Sequence, residues 1–154
     1  MLNRTDEGRR AADAGLALNP SSALLYFVSG VGKLYAGMFA EAKSDILHAI
    51  QLSPRDPSLG LWLNALASSD IGLGHFDDAI NESNRALEAG NRTFLAYASL
   101  ATAYAMTNRI EEAKAAIVEA LKLNPKLTVK FMSERNSKTP ALAEGLRKAG
   151  LPEE

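Results

Sequence analysis

One phrase recurs four times along this chain, and its period constrains the fold more than any other feature. Gly15-Leu16-Ala17-Leu18-Asn19-Pro20, Ala49-Ile50-Gln51-Leu52-Ser53-Pro54, Ala86-Leu87-Glu88-Ala89-Gly90-Asn91 and Ala120-Leu121-Lys122-Leu123-Asn124-Pro125 are variants of one helix ending, spaced by 34, 37 and 34 residues. A second phrase precedes each of the last three: Gly37-Met38-Phe39-Ala40-Glu41-Ala42, Gly74-His75-Phe76-Asp77-Asp78-Ala79 and Asn108-Arg109-Ile110-Glu111-Glu112-Ala113. Its final Ala lies seven residues before the Ala that opens the first phrase, nearly two helical turns, so Ala42 and Ala49, Ala79 and Ala86, and Ala113 and Ala120 each share a face where a second helix can approach closely. Pro20, Pro54 and Pro125 end helices, because proline donates no backbone hydrogen bond and disfavours helical geometry in the residue before it. Gly37, Gly74 and Asn108 fall where paired helices must turn, and both residue types tolerate the left-handed backbone of such turns. A fixed period of this length means stacked helix pairs.

These residues resemble the tetratricopeptide repeat, whose signature of an aromatic, Leu-Gly, Tyr, Ala, Phe, Ala and Pro runs over 34 residues. The last repeat fits best, with Tyr97, Leu100, Ala101, Tyr104, Ala113, Ile117, Ala120 and Pro125 in register. The first full repeat supplies Tyr26, Gly30, Ala42, Ile46, Ala49 and Pro54, but carries Ser29 and Lys33 where Leu and Tyr are usual. The middle repeat has three additional residues, placed in Arg55–Ser58, and puts Leu63, Leu66, Ala67, Asp70, Ala79, Ser83 and Ala86 at the pattern positions. The resemblance implies an all-α, right-handed superhelical solenoid. The expected organisation is a single domain over 1–154, with a half repeat at 1–20, full repeats at 21–54, 55–91 and 92–125, and a C-terminal capping segment at 126–154.

Helices are expected near 5–18, 22–36, 39–52, 57–72, 76–89, 93–106 and 110–123, the opening one being the second helix of a pair whose first is missing. The expectation is therefore either that the chain is part of a longer protein or that Met1 begins a truncated frame. Beyond Pro125, the stretch 126–136 reads as a short helix capped by Thr128, with Val129 and Phe131 allowing an extended alternative. A last helix is expected with Thr139 as N-cap, Pro140 in its first turn, Leu142 and Leu146 on one face, and Gly150 as its stop. That face is expected to cover the helix of Ala113, Ile117 and Leu121. The ending Glu144-Gly145-Leu146-Arg147-Lys148-Ala149-Gly150-Leu151-Pro152-Glu153 resembles the C-terminal tetratricopeptide region of rhizobial and related α-proteobacterial class III adenylate or guanylate cyclases. That resemblance implies a bacterial parent with an upstream cyclase domain, to which nothing in this chain corresponds.

Composition agrees with helix, since 26 Ala and 22 Leu stand among 154 residues and both have high helix propensity. It also narrows function. With 17 Lys and Arg against 18 Asp and Glu, the chain lacks the dense positive charge that nucleic acid or an anionic membrane requires. No Cys is present, which removes thiol nucleophiles, disulfides and Cys-bound metals. No secretory signal or membrane-length apolar run appears, so the expected location is cytoplasmic. His48 and His75 form no metal pair at helical spacing. Asp77-Asp78 and Glu111-Glu112 occupy the same repeat position near a helix N-terminus, where negative charge suits the helix dipole. Gly30-Val31-Gly32-Lys33 lacks the spacing of a phosphate loop. The sequence thus predicts no catalytic residue, no cofactor and no metal.

What remains is a surface. In the family that the repeats resemble, the first helix of each pair lines the concave face. The expected partner groove therefore receives Leu24, Phe27, Val31, Leu34 and Tyr35 from the first full pair, Leu61, Asn64, Ser68 and Ile71 from the second, and Leu95, Ala98, Thr102 and Met106 from the third. Phe27, Val31 and Leu34 form one stripe, while Tyr26 and Gly30 face their own pair. The carboxylate clamp of chaperone-binding members needs Lys, Asn and Arg at positions held here by Phe27, Val31, Ala65, Leu95 and Ser99, so that clamp is not expected. The groove predicts a protein or peptide partner, an amphipathic helix or an extended segment. Alternatively, the C-terminal tail, preceding sequence or a second copy covers it, since large apolar patches seldom stay bare. The functional classes open at this point are a non-catalytic interaction scaffold, a structural module that dimerises the chain, and an enzyme with an unrecognised site.

Overall fold

The computed structural model describes residues 2–154, and among them the chain forms nine α-helices and no strand. They are α1 (Leu2–Leu18), α2 (Ala23–Tyr35), α3 (Phe39–Leu52), α4 (Leu59–Leu73), α5 (Phe76–Glu88), α6 (Phe94–Met106), α7 (Ile110–Leu123), α8 (Val129–Arg135) and α9 (Pro140–Lys148). The expected helices appear within a few residues of their predicted bounds. Met1, which the boundary at 1–20 includes, lies outside the described residues. The stretch after Pro125 resolves as helix, because the Thr128 side chain accepts the Phe131 backbone N–H at 3.1 Å. Ser22 and Thr93 cap α2 and α6 in the same way. Thr139 occupies the N-cap of α9 without a side-chain capping bond.

Neighbouring helices stack pairwise, α2 with α3, α4 with α5 and α6 with α7, and each pair leans on the next. The six Ala at seven-residue spacing are all fully buried, as their place between helices requires. Gly30 lies against α3 so closely that a β-carbon there would stand 2.7 Å from Ile46 Cγ1. The intrapair turns use left-handed backbone at Gly37 (φ 82°), Gly74 (φ 76°) and Asn108 (φ 62°). In the turn between α3 and α4, Asp56 accepts the Ser58 N–H at 2.8 Å and holds the longer connection in place. Asn91, standing where the other repeats have Pro, donates its amide to the Gly60 carbonyl at 3.1 Å and ties the end of α5 to the start of α4.

Three of the repeat positions that depart from the usual pattern make polar links between helices. Ser29 is buried on α2, and its hydroxyl reaches Asp45 Oδ2 on α3 at 2.8 Å and Asp13 Oδ1 on α1 at 3.1 Å. Lys33 Nζ donates to the same Asp45 oxygen at 2.6 Å. Asp70 on α4, the counterpart of Lys33, is only 1% exposed and receives Lys43 Nζ from α3 at 2.6 Å.

The C-terminal segment departs from expectation. Rather than covering α7, α9 packs chiefly on α6 and reaches α4, the inner helices of the last two pairs. Gly145 explains how it comes so near: a β-carbon there would lie 2.7 Å from Thr102 Cγ2 and 2.9 Å from the Thr102 carbonyl oxygen. The chain then returns to α8, where the Val129 and Lys130 N–H groups donate to the Pro152 and Glu153 carbonyls at 2.8 and 3.1 Å. The α8–α9 loop crosses toward the first full pair, and the Lys138 stem rests over Gly37. Leu127, Val129, Met132, Leu142, Leu146 and Leu151 are all buried in a core continuous with Ile71, Leu100, Ala113 and Ile117.

Candidate functional site

The inner helices and the tail enclose a cavity of about 250 Å³. From α2 it receives Phe27, Val31, Leu34 and Tyr35; from α4, Leu61, Asn64, Ala65, Ser68 and Ile71; and from α6, Leu95 and Ser99. Nine of the thirteen residues projected for the groove thus line one space. Phe27, Val31, Ala65, Leu95 and Ser99, which hold the clamp positions, line it too. Phe27 has a double role, since its ring stacks on that of buried Trp62 with centroids 5.4 Å apart and planes inclined by 22°.

Four projected residues stand elsewhere. Ala98 and Thr102 are fully buried, Thr102 beneath Gly145 of α9. Met106 is half-buried with its sulfur 4.0 Å from Lys148 Nζ. Leu24, 62% exposed, lies outside the cavity at the start of α2. The inner surface of the third pair is therefore occupied by the chain's own tail, which also supplies the remaining wall: Met132, Arg135, Asn136, Lys138, Thr139 and Leu142. Projection from the repeat missed this wall because the period ends at Pro125. The signal in the sequence was Gly145, a glycine inside a helix, which often marks close approach.

The polar groups differ in what they can still bind. Ser68 donates its hydroxyl to the Asn64 carbonyl at 3.0 Å, and Thr102 to the Ala98 carbonyl at 2.9 Å, both within their own helices. Asn64 is different: it is 8% exposed, and its Oδ1 is buried without a hydrogen-bond partner among the described residues. A buried acceptor left unpaired costs about 1–3 kcal/mol. Arg135 and Lys138 are the ionisable groups on the wall apart from the Tyr35 phenol, so the cavity carries positive charge over an apolar floor.

Neither histidine makes a second site of comparable form. His48 meets the Tyr26 ring edge-on at 4.3 Å and shares a shallow depression with Asp45, whose carboxylate serves Ser29 and Lys33. His75 has a neighbour that sequence spacing did not reveal, its Nδ1 lying 3.5 Å from Asp70 Oδ1. Asp70, His75 and Asp78 bring one ligand atom each within 4.8 Å of one another. Lys43 Nζ stands among them, 2.6 Å from Asp70 and 3.6 Å from Asp78, and supplies the positive charge this cluster needs. The hydrogen bond that Lys43 donates to the Asp70 carboxylate raises the Lys43 pKa above its ordinary value despite partial burial.

No helix of the described residues is long and apolar enough to cross a membrane. Residues 95–127 match the tetratricopeptide repeat family model, on the repeat that fits the signature best. Comparison with curated proteins gives no match. Among solved structures, the chain is similar to YrrB, a TPR protein with an unusual peptide-binding site, at 19% identity and TM-score 0.66 over 96% of this chain and 77% of that one. It is similar to TTC0263, a thermophilic TPR protein of Thermus thermophilus, at 18% identity and TM-score 0.68 over 96% and 84%. It also resembles the first TPR of Spaghetti (RPAP3) bound to the HSP90 peptide SRMEEVD, at 24% identity and TM-score 0.64 over 79% and 94%. The fold is that of a tetratricopeptide repeat solenoid.

Proposed function

We propose that this chain is a non-catalytic protein-interaction module whose concave groove takes a peptide segment of a partner. The observation that carries this reading is the cavity itself: an apolar floor gathered from α2, α4 and α6, with one unpaired buried acceptor at Asn64. Burying apolar side chains there supplies affinity. Solenoids of the same fold that hold peptides support the reading.

The reading extends to the parent protein. The tail at 144–153 supports placing this module behind the cyclase domain of a cytoplasmic bacterial adenylate or guanylate cyclase, as its regulatory or scaffolding part. Self-association as a homodimer is the second reading, favoured by Leu18 and Leu24, 90% and 62% exposed at the α1–α2 corner.

The test is Val31→Asp. Val31 is half-buried on the cavity wall, and a charge in a desolvated contact without a partner costs several kcal/mol, against little on an open surface. In a binding screen against arrayed peptides, Val31→Asp should lose binding at least about tenfold, roughly 1.4 kcal/mol, with an unchanged far-ultraviolet dichroism spectrum. A folded Val31→Asp chain that binds as wild type overturns the groove. Monomer-sized light scattering at all concentrations removes the homodimer.

A further inference from the structure

Apolar contact, and almost nothing else, holds the C-terminal segment on the solenoid. We infer that residues 128–154 are an exchangeable unit: a second copy of this chain seats its tail on α6 in a reciprocal swap, giving a dimer whose two cavities are each built from both chains. This goes beyond the peptide-groove reading and stands whether or not a peptide binds.

The polar bonds come first. Among the described residues, the hydrogen bonds and ion pairs of 128–154 close within that segment: the Val129 and Lys130 N–H groups on the Pro152 and Glu153 carbonyls, Lys130 with Glu154, Arg147 with Glu153, and Lys148 with Glu144. The one polar link to the solenoid is the weak contact of Lys148 Nζ with Met106 Sδ, at 4.0 Å. The tail therefore leaves its seat without stranding a strong polar bond.

The seat itself has to be filled. Leu142, Leu146 and Leu151 are buried in one core with Ala98, Ala101 and Ile117, and exposing such surface is costly. The occupant that fits it is another copy of the same tail, since Gly145 already matches the close approach to Thr102. Only the connection decides which copy supplies it. The tail hangs from α7 but packs chiefly on α6, through a short turn in which Pro125 and Lys126 are exposed. Asn124 is already extended there, with φ −139° and ψ 90°, as a residue before proline prefers. The turn is closed by the Leu127 N–H on the Asn124 carbonyl at 3.1 Å and the Lys126 N–H on Asn124 Oδ1 at 3.2 Å. Opening those two bonds redirects the tail without unwinding a helix, and exchange of an identical element keeps every contact of the seat, a low-cost route to a dimer. The cavity wall that carries Arg135 and Lys138 then comes from the other copy.

The chain has no Cys, so introduced cysteines report on the seat cleanly. Met106→Cys and Lys148→Cys are made in separate full-length chains, and also together in one chain. Equal amounts of the two single variants are held together at the urea midpoint, where tails open and reseat, then dialysed and treated with a short bismaleimide. A covalent dimer should form from the mixture and from neither variant alone, while the doubly substituted chain should cross-link within itself. While dimer is the minor species, raising the protein from about 0.1 to about 1 mM should raise the ratio of dimer to monomer about tenfold, as mass action requires. No covalent dimer from the mixture at the higher concentration overturns the exchange. Dimer-sized light scattering without the covalent product overturns it too, by tracing association to another surface such as the Leu18 and Leu24 corner. A doubly substituted chain that does not cross-link shows that the tail is not in this seat, with the same result. None of these failures touches the groove reading, which Val31→Asp tests separately.

Discussion

The two ends of this solenoid solve the same packing problem with different chemistry. Around α6 and α7 one apolar core runs from Ile71 through Ala101, Ala113 and Ile117 into Leu142, Leu146 and Leu151, so the tail and the last pair are one unit. Toward the first full pair the apolar core is smaller, gathered on Ile46, Leu63 and Leu66, and ion pairs and a buried hydroxyl link the helices. One repeat position makes the contrast explicit. At 33 the residue is Lys, paired with Asp45; at 70 it is Asp, paired with Lys43; at 104 it is Tyr, with the Arg109 guanidinium 4.5 Å from its ring centroid. Apolar burial adds up over many contacts and needs no particular partner. A buried charge depends on one partner and is costly alone. The difference also decides where the groove is open, because the apolar tail fills the end that matches it and leaves the rest lined but unfilled.

The largest effect should come from separating the tail. Ending the chain after Pro125 removes six large buried apolar side chains, Leu127, Val129, Met132, Leu142, Leu146 and Leu151. Each contributes roughly 1.5–3 kcal/mol on an upper-bound scale, so a loss of several kcal/mol and a clearly lower urea midpoint are expected. The cut also removes Arg135 and Lys138 and opens Thr102 to solvent. An unchanged melting temperature would make the tail a free linker and erase the contrast between the two ends.

The middle unit allows one solution to be converted into the other. Lys43→Met leaves the Asp70 carboxylate buried with only exposed His75 beside it, and should cost about 3–5 kcal/mol, the scale of a broken buried pair. Asp70→Ala should cost less, because Lys43 is a quarter exposed and can turn to water. The double change Lys43→Met with Asp70→Tyr, which installs the residue found at 104, should recover most of the loss. The raised Lys43 pKa adds a pH signature: its contribution is fully present below the unfolded value near 10.5 and is lost as pH rises through the higher folded value. Wild type and Lys43→Met should therefore converge in stability under strongly alkaline conditions, and parallel curves would show that the pair carries no linkage.

How much of this was legible depended on whether the period reached it. Helices α2 to α7, the left-handed turns at Gly37, Gly74 and Asn108, and the buried Ala pairs follow from local rules that repeat. Nine groove residues came together because a register, once fixed, places every inner helix at once. The tail's position did not follow, since Leu142 and Leu146 define an apolar face but not which helix it meets, and α6 offers a small, alanine-rich surface that accepts a helix as closely as α7 does. The Lys33–Asp45 and Lys43–Asp70 pairs were invisible for a related reason. Ser29 and Lys33 read as departures from a pattern, while their partners lie on another helix at a spacing that no local rule prescribes. His75 gained Asp70 as a neighbour through the turn at Gly74, where a φ of 76° folds the chain back on itself.

A smaller effect tests the hydroxyl link of the first full pair. Ser29 is fully buried between Asp13 and Asp45, and Ser29→Ala removes the donor while Lys33 still serves Asp45. The expected cost is about 1–2 kcal/mol, read as a lower urea midpoint at constant slope. A neutral result would mean that Lys33 alone supports the joint between α2 and α3.

The smallest effect should appear where the two chemistries meet, at Glu82 on α5. Burial raises its pKa above the ordinary value of 4.5; the charge of Arg85 opposes that shift, whereas the charge of Asp70 adds to it. A carboxyl group whose folded pKa exceeds its unfolded one stabilises the fold fully below the unfolded value, and that contribution is lost as pH rises through the folded value. At neutral pH the charged form is therefore held in an unfavourable place, although Arg85 reaches both its oxygens at 3.0 and 2.7 Å. Glu82→Gln keeps the shape and one acceptor without the charge, so it should raise stability at pH 7 by under about 1 kcal/mol. The gain should vanish below about pH 4.5, where wild-type Glu82 is itself neutral. Equal gains at both values would trace the effect to packing. A loss at pH 7 would show that the Arg85 pair outweighs burial, placing this junction with the ion-paired end of the solenoid rather than the apolar one.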